Sequence, residues 1–158
     1  MKKTKKIIQG FTIVELIIVI SIFAILVGTV FYNFGDFFSN QQLKTYGQDM
    51  VQSLRKAQSN ATMRINDSQW GVGFVDTANQ FIFFKGDNFA IRDSNYDEVH
   101  EFPDILSFEN ISLNGGGNTV IFSRVSGETT NYGSLDFQLD STKKYTININ
   151  QLGQIEIN

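Results

Sequence analysis

Three hydrophobic patterns follow one another along this chain. Over residues 16–31 almost every position is apolar. About 20 apolar residues suffice to cross a bilayer as a helix, so residues 11–34 read as a membrane helix. Beyond it hydrophobicity falls while a helical period persists. Leu43, Tyr46, Met50, Leu54, Ala57 and Ala61 recur at spacings of three and four. That spacing lines one face of an amphipathic helix, and Gln48, Asp49, Gln52, Arg55 and Lys56 lie off the face. The stripe is expected to rest on a sheet. The helical continuation is expected over 35–66, where Asn66-Asp67-Ser68 reads as a break.

From Gln69 onward the period changes to two. Val72 and Phe74 alternate with Gly71, Gly73 and Val75, a turn cluster follows at Asp76-Thr77-Ala78-Asn79, and Phe81-Ile82-Phe83-Phe84 is a short apolar run. Together they signal a hairpin. Residues 85–104 form a polar stretch holding the only proline, Pro103. Strand-like runs at 107–113 and 119–125 flank Asn114-Gly115-Gly116-Gly117-Asn118, which reads as a hairpin turn. Ser126-Gly127-Glu128 turns the chain again, and further strands are expected at 134–139, 145–149 and 154–157. One N-terminal helix followed only by strands predicts an α+β fold, with a β-rich head over 67–158.

Charge separates the two ends. Residues 1–10 are a basic leader with four lysines, Lys2, Lys3, Lys5 and Lys6. The whole chain has 13 basic and 16 acidic side chains, so without the leader its net charge is −7. A basic flank stays on the cytoplasmic side and leaves the acidic remainder outside. An acidic domain repels phosphate backbones, so nucleic acid is a poor candidate partner. The tail from Asn148 onward has no basic residue. Cysteine is absent, which excludes disulfide staples and thiolate chemistry. The soluble remainder suits one small domain.

Glu15 is the only carboxylate at the head of the apolar run. An acid in hydrocarbon costs roughly 2.5–3.5 kcal/mol even on the lenient insertion scale, so something should compensate it. The order Gly10, Phe11, Thr12, Ile13, Val14, Glu15, Leu16 after a short basic leader resembles the class III signal of type IV pilins and type II secretion pseudopilins. The resemblance covers about the first 30 residues. It implies cleavage between Gly10 and Phe11 by a prepilin peptidase, N-methylation of Phe11, and pairing of Glu15 with the N-terminal amine of a neighbouring subunit. It also implies an inner-membrane assembly platform with its ATPase, other pilin-like subunits, and a long N-terminal helix packed on an antiparallel sheet domain. No cofactor is implied. The localisation implied is the cytoplasmic membrane, with the head extracytoplasmic, and then a pilus or pseudopilus. The segments around residues 118–127 and 147–155 further resemble the H-type minor pseudopilins and related minor pilins. Two departures stand out. Many major pilins carry a C-terminal disulfide loop, and many carry a kinking proline where this chain has Tyr32.

Two plainer accounts of the N-terminus compete. A secretory signal peptide has a shorter core ending in a small-residue cleavage site, and none closes this one. A single-span anchor carrying an extracytoplasmic binding domain fits the length but gives Glu15 no role. Elsewhere, candidate chemistry is sparse. His100 is the only histidine and reads as a surface residue, since no Gly-x-Ser-x-Gly elbow accompanies it. Gly115-Gly116-Gly117 lacks the Lys-Ser/Thr of a phosphate loop. Asp93, Asn95 and Asp97 alternate like the opening ligands of a calcium loop, but Glu98 replaces the turn glycine and no glutamate closes the set. That stretch reads as a solvated loop, with calcium as the alternative. The triplets starting at Asn60, Asn66 and Asn110 match the glycosylation pattern, which arises often by chance. The expectation is a structural, non-enzymatic filament subunit.

Overall fold

The computed structural model describes residues 11–139 and 143–158, and for residues 29–36 the backbone alone. The chain divides into two compact units, one ending at Phe38 and the other spanning Ser39–Asn158. The first unit holds the start of helix α1, which is assigned as Ile13–Thr62. Tyr32 has a helical backbone, and its side chain lies outside the described residues.

The second unit is the head. Its part of α1 buries Leu43, Met50, Leu54, Ala57 and Ala61 of the predicted stripe, with Val51 added and Tyr46 only half-buried. Gly47 stands in the middle of the helix for a steric reason: a Cβ there would come within 2.6 Å of the Tyr145 ring. The same burial pushes the Tyr145 phenol up from its ordinary pKa, and the charge of Arg55 opposes it. The helix stops when Arg64 takes the left-handed conformation, φ 58°. Asn66 and Asp67 follow in the same region, with φ of 55° and 49°.

Among the described residues eight strands follow: β1 Trp70–Val75, β2 Gln80–Lys85, β3 Asp93–Glu101, β4 Leu106–Leu113, β5 Thr119–Phe122, β6 Gly133–Leu139, β7 Lys143–Ile149 and β8 Ile155–Ile157. They form two antiparallel sheets in the orders β3-β2-β1-β5 and β4-β6-β7-β8. The α1 stripe and the inward faces of both sheets share one apolar core. Phe102, Phe108 and Phe137 meet there edge-on or tilted, with centroids 5.0–5.6 Å apart. This is the expected α+β architecture, with the β1–β2 hairpin where the turn cluster placed it.

Two expectations fail. The glycine-rich segment 114–118 is not a hairpin turn, because β4 and β5 belong to different sheets. β4 pairs with β6 and β5 pairs with β1. The segment carries the chain across, with Gly115 and Gly116 at φ 88° and 70°. Asn114 holds the crossing by donating its N–H to the Tyr132 carbonyl and its side-chain amide to that of Thr130. The second failure is the solvated loop around Asp93, which is β3, a nine-residue edge strand paired with β2. None of its side chains is fully buried, so no apolar alternation marks it. Backbone pairing makes this strand where side-chain burial does not.

The far face of the first sheet has a small core of its own. Gly71 and Gly73 form a flat floor beneath the rings of Phe84 and Phe89, which meet edge-on at 5.1 Å. A Cβ on Gly73 would come within 2.5 Å of the Phe89 ring. Phe89 sits in a 3-10 turn, Phe89–Ile91, and Arg92 clamps it. The guanidinium lies 4.1 Å from the ring centroid, donates to the Phe89 carbonyl, and bonds the Asp97 carboxylate at 2.9 Å.

Candidate functional site

The N-terminal end of α1 is the site the sequence singles out. Gly10 lies outside the described residues. Thr12 is the cap: its hydroxyl accepts from the Glu15 N–H at 3.3 Å, and its carbonyl accepts from Leu16 N–H at 3.2 Å. Thr-x-x-Glu before an apolar run is a capping-box signature. The spacing was readable in the sequence, and it gives Thr12 a structural role beside the processing residues. Glu15 stands in the first turn, where the positive end of the helix dipole favours an acid. Among the described residues nothing ion-pairs or hydrogen-bonds with its carboxylate.

Every residue from 11 to 28 is exposed, including Phe11 at 71%. Within this exposed stretch the Ser21 hydroxyl is turned inward and donates to the Ile17 carbonyl at 2.7 Å. A helix apolar on all sides belongs in a membrane or at the centre of a helix bundle. Among the described residues no helix is long and apolar enough to cross a membrane. The apolar run extends to Phe31, and the side chains of residues 29–36 fall outside the described set.

The alternative chemistry does not assemble. Asp93, Asn95 and Asp97 lie along the edge strand with their oxygens engaged. Asp93 accepts from the Asn95 side chain at 3.0 Å and faces Lys85 at 3.7 Å, while Asp97 faces Arg92. Among the described residues no group of three His, Asp or Glu side chains is placed to hold a metal. His100 stacks flat on Phe81, centroids 4.7 Å apart. It lines an open groove with Asp49, Gln52, Ser53, Lys56 and Glu98. No hydrogen bond joins Ser53 to His100, and a nucleophile and its base must be within that reach.

Comparison with known proteins bears on both units. The prokaryotic N-terminal methylation motif matches residues 5–31. No curated protein matches the chain. Two structures of the minor pseudopilin EpsH from the type II secretion system of Vibrio cholerae are similar in fold. One aligns with a TM-score of 0.55 at 11% identity, over 74% of this chain and 96% of the other. The second aligns with a TM-score of 0.57 at 12% identity, over 74% and 93%. The chain thus carries the prokaryotic N-terminal methylation motif at its start, and its fold is similar to that of a minor pseudopilin over 74% of its length.

Proposed function

We propose that this chain is a minor-pseudopilin-type structural subunit of a type IV pilus or type II secretion filament. It is made as a precursor, cut between Gly10 and Phe11 by a prepilin peptidase, and N-methylated on Phe11. It then waits in the cytoplasmic membrane, with the leader inside and the head outside. An assembly platform and its ATPase draw it into a bundle of like helices. The observation that carries this reading is the all-round exposure of apolar residues 11–28 next to Glu15. A helix bundle would cover that surface. Inside it Glu15 would meet the Phe11 amine of a neighbour, each charge compensating the other.

N-terminal mass spectrometry of the protein from cells with an active prepilin peptidase tests the processing step. The mature chain is expected to start at methylated Phe11, and Gly10→Val to leave the precursor uncut. An intact leader in wild-type cells would overturn the proposal.

A further inference from the structure

The two sheets of the head differ on the faces they turn away from the core. In the second sheet the cross-strand rows of that face are polar throughout. They read Ser112, Ser134, Asn148 and Glu156, then Asn110, Asp136 and Thr146, then Ser107, Gln138 and Lys144. An antiparallel sheet with one wet face has this pattern. In the first sheet the rows read Val99, Ile82, Gly73 and Thr119, then Phe84, Gly71 and Ile121, then Glu101, Gln80 and Val75. Ile82 and Phe84 are buried, yet neither belongs to the main core.

The Phe89 turn covers Phe84 and the glycine floor, so the packing this sheet requires is complete without further help. Apolar side chains are left over. Ile91, in the same turn, is 79% exposed, and Val99 is 51% exposed. Arg92 follows Ile91 and bonds Asp97, two residues before Val99, which ties the turn to β3. Val75 and Ile121 on the same face are half-buried. A single exposed aliphatic side chain is ordinary. Several on one sheet face, in a head whose other sheet face is polar, mark a contact surface.

Charge narrows what covers it. Glu101 lies on the face and Asp76 follows Val75. Among the described residues neither carboxylate has an ion pair or a side-chain hydrogen bond. Arg92 is already held by Asp97 and by the Phe89 carbonyl. These free acids repel an anionic membrane surface or a nucleic acid, and suit a protein surface that carries aliphatic and basic side chains. A second copy of this chain has no such surface. Beyond the leader the chain has nine lysines and arginines. Six of them are ion-paired within the head: Lys56, Arg64, Lys85, Arg92, Arg124 and Lys144. The others, Lys44, Arg55 and Lys143, lie on α1 and β7, whereas the exposed large apolar side chains of the head lie on other elements.

We propose that the outward face of the β3-β2-β1-β5 sheet seats the head of a different pilin-like subunit. That neighbour brings aliphatic side chains to Ile91 and Val99, and lysine or arginine to Glu101 and Asp76. The proposal rests on the filament reading above, which sets other heads beside this one, and names the kind of neighbour. It suits a minor subunit, because a contact that the chain cannot make with itself does not propagate.

A photoreactive benzophenone side chain placed at position 91 of the full-length chain, irradiated in cells and in sheared filaments, tests this. One heterodimer is expected. Mass spectrometry should show that its second chain carries a prokaryotic N-terminal methylation motif and that the joined peptide holds lysine or arginine. The same probe at position 156, on the polar sheet face, should give at least about tenfold less product. With the probe at 91, Val99→Thr and Glu101→Lys should each lower the yield severalfold, while the thermal midpoint of the head moves by less than about 2 °C. A homodimer, a product with lipid or with a protein lacking the motif, equal yield from position 156, or no product overturns the contact. A yield that neither substitution changes also overturns it. Chain present in filaments without the product sinks this contact and spares the filament reading. The product formed in membranes, with no chain in filaments, does the reverse.

Discussion

Helix α1 contributes to two regions that handle apolar surface in opposite ways. In residues 39–62 the buried and exposed positions alternate with the helical period, and the buried ones sit in a core the head supplies. In residues 11–28 the side chains are more apolar and every one is exposed. At about 25 cal/mol per Å² the second surface is far too costly to leave in water. The head thus completes its own burial, while the N-terminal segment requires burial supplied from outside.

The largest effect expected from this contrast is at Glu15. Glu15→Leu should enter the membrane and be cleaved, since it removes a charge and leaves the scissile bond alone. Its incorporation into filaments should fall about 100-fold or more, because losing one partner of a buried pair costs on the order of 3–5 kcal/mol. Glu15→Asp should fall between. The ratio of filament-bound to membrane-retained subunit decides it, and equal incorporation of Glu15→Leu would remove the pairing role.

Next in size is a truncation made in each region. Phe137 is fully buried, so Phe137→Ala should destabilise the head by about 3–5 kcal/mol in chemical denaturation. Ile17→Ala, on the exposed segment, should leave the head's midpoint where it was. A comparable loss from both would break the contrast. A smaller effect is expected on the far face of the first sheet. Gly73→Ala pushes on the Phe89 ring and should cost about 1–3 kcal/mol. In the Phe89→Ala background the same change should cost much less, and a double-mutant cycle measures the coupling.

The smallest effects are electrostatic and confined to the head. Hydrogen bonding from Arg64, then the charge of Arg124, holds the Asp67 carboxyl below its ordinary pKa. Its contribution is present above the ordinary carboxylate range and is lost as pH falls through the lowered value. Lys144 is raised, first by its hydrogen bond to Asp136 at 2.8 Å and then by that to Glu109 at 3.0 Å. Its contribution is present below the ordinary lysine range and is lost as pH rises through the raised value. Both groups are exposed, so salt should weaken both contributions. Asp67→Asn should flatten only the acid limb of a midpoint-against-pH profile, and Lys144→Met only the alkaline limb.

What could be read in advance follows the same division. The α1 stripe and the strands β4, β6 and β7 were legible because burial of one face imposes a period on the residues, while β1 and β2, buried on both faces, were marked by apolar residues on either side of a turn cluster. β3 was not, since an edge strand of Asp, Asn, Glu and Tyr carries no such period. The crossing at Gly115 was misread for a different reason. Glycines mark where a chain turns, but which strand β5 will pair with is settled by β1, more than forty residues earlier. At the N-terminus the motif from Gly10 to Glu15 was plain, and the Thr12 cap was present in the same letters. The left-handed φ of 75° at Val125 left no trace, because a backbone angle in a turn is fixed by what the turn must reach, here the Ala61 carbonyl that its N–H bonds.

The exchange of β4 and β5 between the sheets also shapes how the head folds. Neither sheet is built from one unbroken stretch of chain. The first cannot close until β5 has returned past a strand that belongs to the second, and the second waits for β6 to find β4. Such non-local pairings must meet the entropy of loop closure before they gain contacts, and they slow folding well below helix-formation rates. α1 can therefore form its hydrogen bonds while the strands are still searching for partners. As the chain is made, the head passes through a stage in which β4 has emerged but its neighbour has not. Its unpaired edge is then available to other chains, and a helper that shields exposed strands would act at that stage.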